Sequence, residues 1–88
     1  MTEQSKKILV TGGASGIGAA ICRRMSDKDS HFLVHTRANK EGLEKTIRDI
    51  EKNGGRGHAE FADLAVKGAA RLLVQRAIDV LGGLDILV

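Results

Sequence analysis

A glycine cluster between a short aliphatic run and an amphipathic helical pattern constrains this chain more than any other feature. Residues 7–11 read Lys-Ile-Leu-Val-Thr, which predicts a strand buried on both faces. Residues 12–18, Gly-Gly-Ala-Ser-Gly-Ile-Gly, follow directly, and from Gly16 the apolar side chains recur at spacings typical of a helix. A strand that runs through a glycine turn into a helix is the first half of a βαβ unit, so the start of the chain favours an α/β fold.

The alternation of strand and helix patterns continues through the rest of the sequence. The further predicted elements are a strand at Ser30–Arg37, a helix from Ala38-Asn39 to Asn53-Gly54-Gly55, a weaker strand at His58–Asp63 with Ala59, Phe61 and Leu64 as its apolar members, a helix from Ala69 to Leu81, and a strand at Leu84–Val88. The order β-α-β-α-β-α-β predicts a doubly wound parallel sheet. A natural domain seldom ends inside an apolar strand, so we expect residues 1–88 to be the N-terminal part of a domain, truncated before the rest of the fold.

Composition narrows the classes of partner that the chain is expected to bind. The 88 residues suffice for one small domain, and 42% of them are hydrophobic, as in a globular chain. The net charge of +3 is spread along the sequence, and the aromatic residues are two phenylalanines. Nucleic-acid binding uses clustered basic residues and stacking aromatics, so it is not expected. The polar start, Met1–Lys7, and the absence of a long apolar run predict neither a signal peptide nor a membrane span.

The cysteine content favours a reducing environment, and the spacing of the histidines does not favour a metal site. Cys22 is the single cysteine, which excludes an internal disulfide and predicts a cytoplasmic location. It falls within the first helix, where a small packing residue is expected. His31, His35 and His58 lack the spacing of metal ligands, so no metal site is expected.

The glycine turn predicts a site for a phosphate group. Glycines let the backbone approach a pyrophosphate closely, while the helix that follows directs its free N–H groups and its partial positive charge toward the anion. Gly18, inside the helix, is expected to let that helix lie close to the sheet. A P-loop is disfavoured because no Gly-Lys-Ser/Thr sequence closes the turn. A turn that serves helix packing without any ligand remains the alternative.

The spacing Thr11-Gly12-x3-Gly16-x-Gly18 resembles the cofactor motif of the short-chain dehydrogenase/reductase family. Three further places follow the family's order: Asp63-Leu64 after the third strand, residues 84–88 as the fourth strand, and His35-Thr36-Arg37 at the end of the second strand, where the family discriminates between NAD and NADP. The resemblance covers nearly the whole chain. It implies a Rossmann-type sheet of which residues 1–88 form a partial NAD(P)-binding domain.

The resemblance also implies roles for individual residues at the cofactor. Ser15 and the backbone N–H of Ile17 are expected to contact phosphates, and Asp63 and Leu64 are expected to hold the adenine. The full set of expected cofactor-binding residues is Thr11, Gly12, Ser15, Gly16, Ile17, Gly18, Thr36, Arg37, Asp63 and Leu64. For Asp63, a capping role at the next helix is an alternative.

Thr36 and Arg37 predict a preference for NADP, with NAD as the alternative. Family members that select NAD usually have an acidic residue at the position of Thr36 to hold the ribose 2′-hydroxyl. A guanidinium such as that of Arg37 can form two charge-assisted hydrogen bonds to a 2′-phosphate, which a carboxylate would repel. The other interpretation of Arg37 is a solvated residue at a strand end.

The family's chemistry resides in a Ser, a Tyr and a Lys that lie beyond the segment represented here. The sequence contains no tyrosine, so no catalytic residue is assigned and the 88 residues are expected to be inactive alone. The implied parent protein transfers hydride between NADPH and a carbonyl or alcohol group and forms a homo-oligomer. A 3-oxoacyl-(acyl carrier protein) reductase is a plausible relative. The alternatives are a non-catalytic nucleotide-binding or interaction module, and a truncated chain with no function of its own.

Overall fold

Four strands and three helices alternate through residues 5–88, the part of the chain that the computed structural model describes. Their bounds are β1 Lys6–Val10, α1 Gly16–Met25, β2 Ser30–Thr36, α2 Lys40–Lys52, β3 Arg56–Phe61, α3 Ala69–Leu81 and β4 Ile86–Leu87. All strand pairs are parallel, and the strand order across the sheet is β3-β2-β1-β4. The predicted α/β alternation and the parallel sheet are confirmed.

The position of β1 inside the sheet places the glycine turn. The chain leaves β1 for β2 and β3 on one side, and then crosses back so that β4 pairs with β1 on the other side. Val10 pairs with Val34 of β2, and Ile8 pairs with both Phe32 of β2 and Ile86 of β4. The turn after β1 therefore lies where the strand order reverses, which is where open α/β sheets bind ligands.

Both faces of the two inner strands are buried, which explains their unbroken apolar runs. Side chains of β1 and β2 alternate between a cluster beneath α1 and α2 and a cluster beneath α3. The first cluster is built on Ile8, Val10, Phe32 and Val34 together with Cys22, Leu43 and Ile50, and the second on Leu9, Leu33, Leu73, Ala77 and Leu81. Each large side chain removed from water in this way stabilises the fold by roughly 1.5–3 kcal/mol.

The third strand differs from its prediction in position and in burial. It spans Arg56–Phe61 rather than His58–Asp63, because its register is set by pairing with β2, where Arg56 lies opposite His31. Within the described sheet β3 is an outer strand, and the side chains of Ala59 and Phe61, two of the apolar residues on which its prediction rested, are exposed. Gly57 is half-buried against Ile47 and gives α2 room to approach.

The other three strands differ slightly from their predicted bounds. β2 ends at Thr36, one residue before the predicted end at Arg37. β1 begins at Lys6, one residue before the predicted start, and Thr11 belongs to the turn. β4 contains Ile86–Leu87, whereas Leu84 of the predicted strand instead packs against the cluster beneath α3. The third helix coincides with its predicted range, Ala69–Leu81.

None of the helices within residues 5–88 has both the length and the apolar character that crossing a membrane requires.

Candidate functional site

The turn after β1 takes a backbone path that needs glycine at two positions. Gly12 has φ 63° and Gly16 has φ 55°, in the left-handed region that other residues enter only with strain. A Cβ at either position would meet no atom of residues 5–88 within 4 Å. Glycine at these two positions is therefore not needed to avoid a collision with protein atoms, and open space lies in front of both.

Two other glycines in the turn allow close approach. A Cβ on Gly13 would strike the side chain of Val34, and one on Gly18 would strike the carbonyl of Gly12. Gly18 was expected to bring α1 close to the sheet. The structure corrects this in part, since Gly18 lets the first turn of α1 lie against the backbone of residues 12 and 13, which connect α1 to β1.

At the beginning of α1, several polar groups have no hydrogen-bond partner among residues 5–88. Ser15 precedes the helix with extended backbone, φ −159° and ψ 171°, and its exposed side chain makes no capping hydrogen bond. Along α1, the first backbone amide that donates to a carbonyl is that of Ala19, which donates to the oxygen of Ser15 at 3.2 Å. Within residues 5–88, the amides of residues 16–18 donate to no protein acceptor. Free N–H groups at a helix N-terminus attract anions.

Three hydrogen bonds from distant elements hold the turn in place. The hydroxyl of Thr11 donates to the oxygen of Val88 at 2.9 Å, and its amide donates to the same oxygen at 3.0 Å. On the other side, the hydroxyl of Thr46 on α2, 2% exposed, donates to the oxygen of Gly13 at 2.8 Å. The structure thus ties the turn to Val88, the residue after β4, and to α2.

His35, at the end of β2, connects the turn to the segment that follows β3. The amide of Gly12 donates to His35 Nδ1 at 3.2 Å, and the amide of Gly13 donates to the oxygen of His35 at 2.8 Å. His35 Nε2 lies 2.8 Å from the oxygen of Ala62. In the sequence, His35 stands out only as part of the predicted strand end and lacks the spacing of a metal ligand, and no local signal indicates these contacts.

Thr36 and Arg37 occupy different environments although they are adjacent. The Thr36 side chain is buried, and its Oγ1 accepts from the amide of Asn39 at 3.3 Å, so it supports the entrance to α2. Arg37 is exposed immediately after β2 and forms no salt bridge with any residue of 5–88. Its guanidinium is accessible to an external anion.

Asp63 and Leu64 lie in an exposed loop after β3. The Asp63 carboxylate accepts from the amide of Ala65 at 3.0 Å, and its backbone oxygen accepts from the amide of Val66 at 3.0 Å. The helix α3 begins only at Ala69, after Gly68 with φ 85°. The alternative that Asp63 caps this helix is therefore wrong, since the carboxylate closes a turn well before it. Leu64 is 39% exposed.

The ends of all four described strands converge at one edge of the sheet. The amide of Ala62 donates to the oxygen of Thr36 at 3.2 Å, which joins the segment after β3 to the end of β2. Together with the bonds through His35 and Thr11, this contact brings the glycine turn, Arg37 and Asp63-Leu64 to the carboxyl edge of the sheet. Ligands of doubly wound sheets bind at this edge.

The remaining titratable features lie elsewhere. His31 and His58, near the start of β2 and in β3, place their Nε2 atoms 2.8 Å apart, and the guanidinium of Arg56 lies 3.5 Å from His31 Nδ1. Burial, and then the positive charges of Arg56, His58 and Lys7, lower the pKa of His31. Within the described part of the chain, no three His, Cys, Asp or Glu side chains gather as a metal site.

Cys22 and one surface cavity also lie away from the turn. Burial raises the pKa of the Cys22 thiol to about 11, which keeps it protonated inside the cluster beneath α1 and α2. A cavity of about 310 Å³ lies between the end of β3 and α3, with a mainly apolar lining that includes Phe61 and Leu72. The glycine turn does not contribute to it.

The sheet order and the turn after the central strand define the N-terminal part of a Rossmann-type fold. Residues 6–88 match the family model described as short chain dehydrogenase, and the chain belongs to the short-chain dehydrogenase/reductase family.

Three relatives illustrate the range of the match. The chain is 34% identical over 83 residues to 3beta-hydroxysteroid dehydrogenase 1 of Eggerthella lenta, covering 94% of this chain and 32% of that protein. It is 39% identical, with a TM-score of 0.87, to the crystal structure of a short chain dehydrogenase from Burkholderia cenocepacia J2315 in complex with NADP, covering 96% of this chain and 34% of the other. For a blue fluorescent protein from a metagenomic library in complex with NADPH, the identity is 32%, the TM-score 0.84, and the coverage 99% and 36%. The chain thus spans about a third of the length of these relatives.

Proposed function

We propose that this protein binds NADP(H) at the carboxyl edge of its sheet, as the cofactor-binding part of an oxidoreductase that transfers hydride between NADPH and a carbonyl or alcohol group. Residues 1–88 form, in this proposal, a partial NAD(P)-binding Rossmann domain. The observation that carries it is the group of unpartnered amides at residues 16–18, which follows a glycine turn where the strand order reverses.

The pyrophosphate fits the start of α1. The open space in front of Gly12 and Gly16 leaves room for an anion, and the amides of residues 16–18 together with the exposed hydroxyl of Ser15 supply donors. This arrangement is the chemistry that phosphate groups select at helix N-termini. The amide of Ile17 and the hydroxyl of Ser15 are the contacts we assign to the phosphates, and Thr11 acts by fixing the turn to the end of β4.

The same space argues against a turn that serves packing alone. Close approach to neighbouring atoms accounts for glycine at positions 13 and 18, where a Cβ would collide. It does not account for the open surface at positions 12 and 16, nor for the amides left without acceptors.

The ribose phosphate and the adenine are assigned to the two neighbouring strand ends. Arg37 offers an exposed guanidinium without a salt bridge among the described residues, which suits a 2′-phosphate, and the neutral Thr36 supplies no carboxylate that would repel it. Asp63 and Leu64 stand exposed at the next strand end, where the adenine is expected. Two of the solved relatives are complexes with NADP and with NADPH, which supports this choice over NAD.

When bound, the cofactor would supply a hydride to a carbonyl group or accept one from an alcohol, and the described residues would bind and orient the cofactor. A proton must accompany each hydride transfer, and the sequence contains no tyrosine that could exchange it. No catalytic residue is therefore assigned within the 88 residues, and we expect them to show no reductase activity by themselves. A cytoplasmic location and a homo-oligomeric state of the parent protein belong to the same proposal.

A binding titration tests the proposed function directly. Fluorescence of NADPH is followed as protein is added, for the original sequence, Arg37→Ala, and the control Arg24→Ala, which removes an exposed arginine from the far end of α1. Loss of a charge-assisted bidentate contact is expected to weaken NADPH binding about ten- to hundredfold. NADH binding should change little in either variant. Equal losses in both variants, or no binding of either dinucleotide by the original sequence, would overturn the proposal.

A further inference from the structure

His35 is buried between the two loops that flank the proposed cofactor site. Its side chain is 5% exposed. On one side its Nδ1 accepts from the amide of Gly12 in the glycine turn, and on the other its Nε2 reaches the oxygen of Ala62, directly before Asp63. One side chain thus spans the phosphate end and the adenine end of the site.

Both contacts require the same form of the imidazole ring. An amide N–H can only donate, so Nδ1 must be the unprotonated acceptor, and a carbonyl oxygen can only accept, so Nε2 must carry the hydrogen. The two backbone partners therefore select the neutral ring with its hydrogen on Nε2. A hydrogen on Nδ1 would point at the amide N–H of Gly12, and the repulsion between these two donors would break the hydrogen bond to the glycine turn.

The charged groups around His35 do not pair with its ring in place of the two backbone partners. The glycine turn, residues 11–15, contains no titratable side chain. Glu60 lies opposite His35 in the pairing of β2 with β3, and its carboxylate is engaged by Arg76 of α3 at 3.3 Å. Asp63 turns its carboxylate to the amide of Ala65. Both ring nitrogens of His35 are thus paired with backbone groups.

We infer that His35 is a positioning residue that holds the glycine turn and the Ala62–Leu64 segment at a fixed separation, so that one dinucleotide can contact both. The inference rests on the proposed function for its consequence in binding, whereas the mechanical coupling of the two loops is a property of the free protein. A second bond from the same residue, between the amide of Gly13 and the oxygen of His35, anchors the turn through the backbone and persists in any side-chain variant.

Three substitutions separate the two side-chain contacts. The oxygen of Asn can take the place of Nδ1, so His35→Asn keeps an acceptor for Gly12 and loses the bond to Ala62. The amide nitrogen of Gln can take the place of Nε2, so His35→Gln keeps the donor to Ala62 and loses the acceptor for Gly12. His35→Leu removes both. His58→Gln is the control, because His58 is an exposed histidine of β3 that contacts His31 and neither loop.

The first measurement needs no ligand. Nitrogen-15 NMR of the protein reports the tautomer of His35, and amide hydrogen exchange reports the two loops at Gly12 and Ala65. We expect a protonated Nε2, and exchange at least threefold faster at both amides in both the Asn and the Gln variants, with the control unchanged. A hydrogen on Nδ1, or faster exchange only on the side that lost its bond, would overturn the inference, since coupling requires each contact to affect both loops.

The second measurement uses NADPH as the probe. With one hydrogen bond lost, NADPH affinity is expected to fall about three- to tenfold in the Asn and Gln variants, further in the Leu variant, and less than twofold in the control. Unchanged affinity in the Leu variant would refute the positioning role. If the original sequence does not bind NADPH, the proposed function fails, while the tautomer and the exchange data still decide whether His35 couples the loops.

Discussion

The hydroxyl of Thr46 holds the glycine turn from inside the protein, and removing this hydroxyl tests the structure most directly. Its one hydrogen lies between the oxygen of Gly13 at 2.8 Å and the oxygen of Gly42, one helical turn back, at 3.0 Å, and both Thr46 and Gly13 are buried. Thr46→Val replaces the hydroxyl by a methyl group of similar shape on an equally β-branched side chain, so packing and helix propensity change little. The oxygen of Gly13 accepts from no other donor within residues 5–88, so the variant leaves a buried carbonyl without a partner.

A buried acceptor left without its hydrogen bond costs about 1–3 kcal/mol. For a domain of this size each 1 kcal/mol lowers Tm by roughly 4–8 °C, so Thr46→Val should melt at least about 4 °C below the original protein. Chemical and thermal unfolding monitored by circular dichroism measures both quantities. The control Thr46→Ser keeps the hydroxyl and loses only a methyl group.

The comparison of the two variants decides the argument. If the hydrogen bond stabilises the turn, the Ser variant retains the bond and its loss comes only from the missing methyl, which is about 1 kcal/mol. A Val variant as stable as the original protein would show that the bond contributes nothing. A Ser variant at least as unstable as the Val variant would show that packing, and not the hydroxyl, matters at this position.

Three further predictions follow from the described residues. The pKa of His31 is lower in the folded protein than its ordinary value of 6.5, so the unfolded chain binds a proton more readily and the free energy of unfolding falls as the pH drops below 6.5. Urea unfolding between pH 7.5 and 5 should show this fall, and the fall should be smaller in His31→Gln. The thiol of Cys22, with its pKa near 11 and no exposure, should react with a thiol reagent at pH 8 only after denaturant is added, and rapid reaction in native buffer would contradict its burial. Under the proposed function, replacing Thr36 by Asp and Arg37 by Ala should shift the ratio of the NADP and NAD affinities toward NAD, because the carboxylate repels a 2′-phosphate and accepts from a 2′-hydroxyl; an unchanged ratio of the two affinities would show that Arg37 is a solvated residue.

The elements with a strong local signal were predictable from the sequence. The helix Ala69–Leu81 carries an apolar face over its whole length and ends at Gly82, whose φ of 81° suits glycine, and its predicted range is confirmed. The runs around Leu9 and Leu33 predicted strands buried on both faces, which they are, because helices cover both sides of the inner strands.

The third strand shows where local signals stop being sufficient. Its apolar residues are few, and the prediction, which rested on Ala59, Phe61 and Leu64, placed it two residues too late. Its position follows from hydrogen bonds to β2, with Arg56 opposite His31 and Phe61 opposite Thr36. An outer strand pairs on one side only in the described sheet, so its sequence carries a weak hydrophobic pattern.

In the candidate site, too, the sequence predicted the local features but not the contacts between distant residues. The glycine spacing at residues 12–18 predicted a turn that leaves helix amides free, since positive φ and a helix start are local properties. Thr46 and His35 were not predicted as supports of that turn. They lie 33 and 23 residues from their partners in the turn, and no spacing rule reports contacts at such separations.

The sequence by itself determined the alternation of strands and helices, the glycine turn and the family to which the chain belongs. These depend on hydrophobic periodicity, backbone freedom and motif spacing, which act within a few residues. Only the tertiary structure decided that Thr36 is buried while Arg37 is exposed, that the Thr46 hydroxyl holds the glycine turn, and that His35 links two loops. The physical reason is that these contacts depend on the strand order β3-β2-β1-β4 and on its register, which parallel pairing and burial establish between segments far apart in the chain.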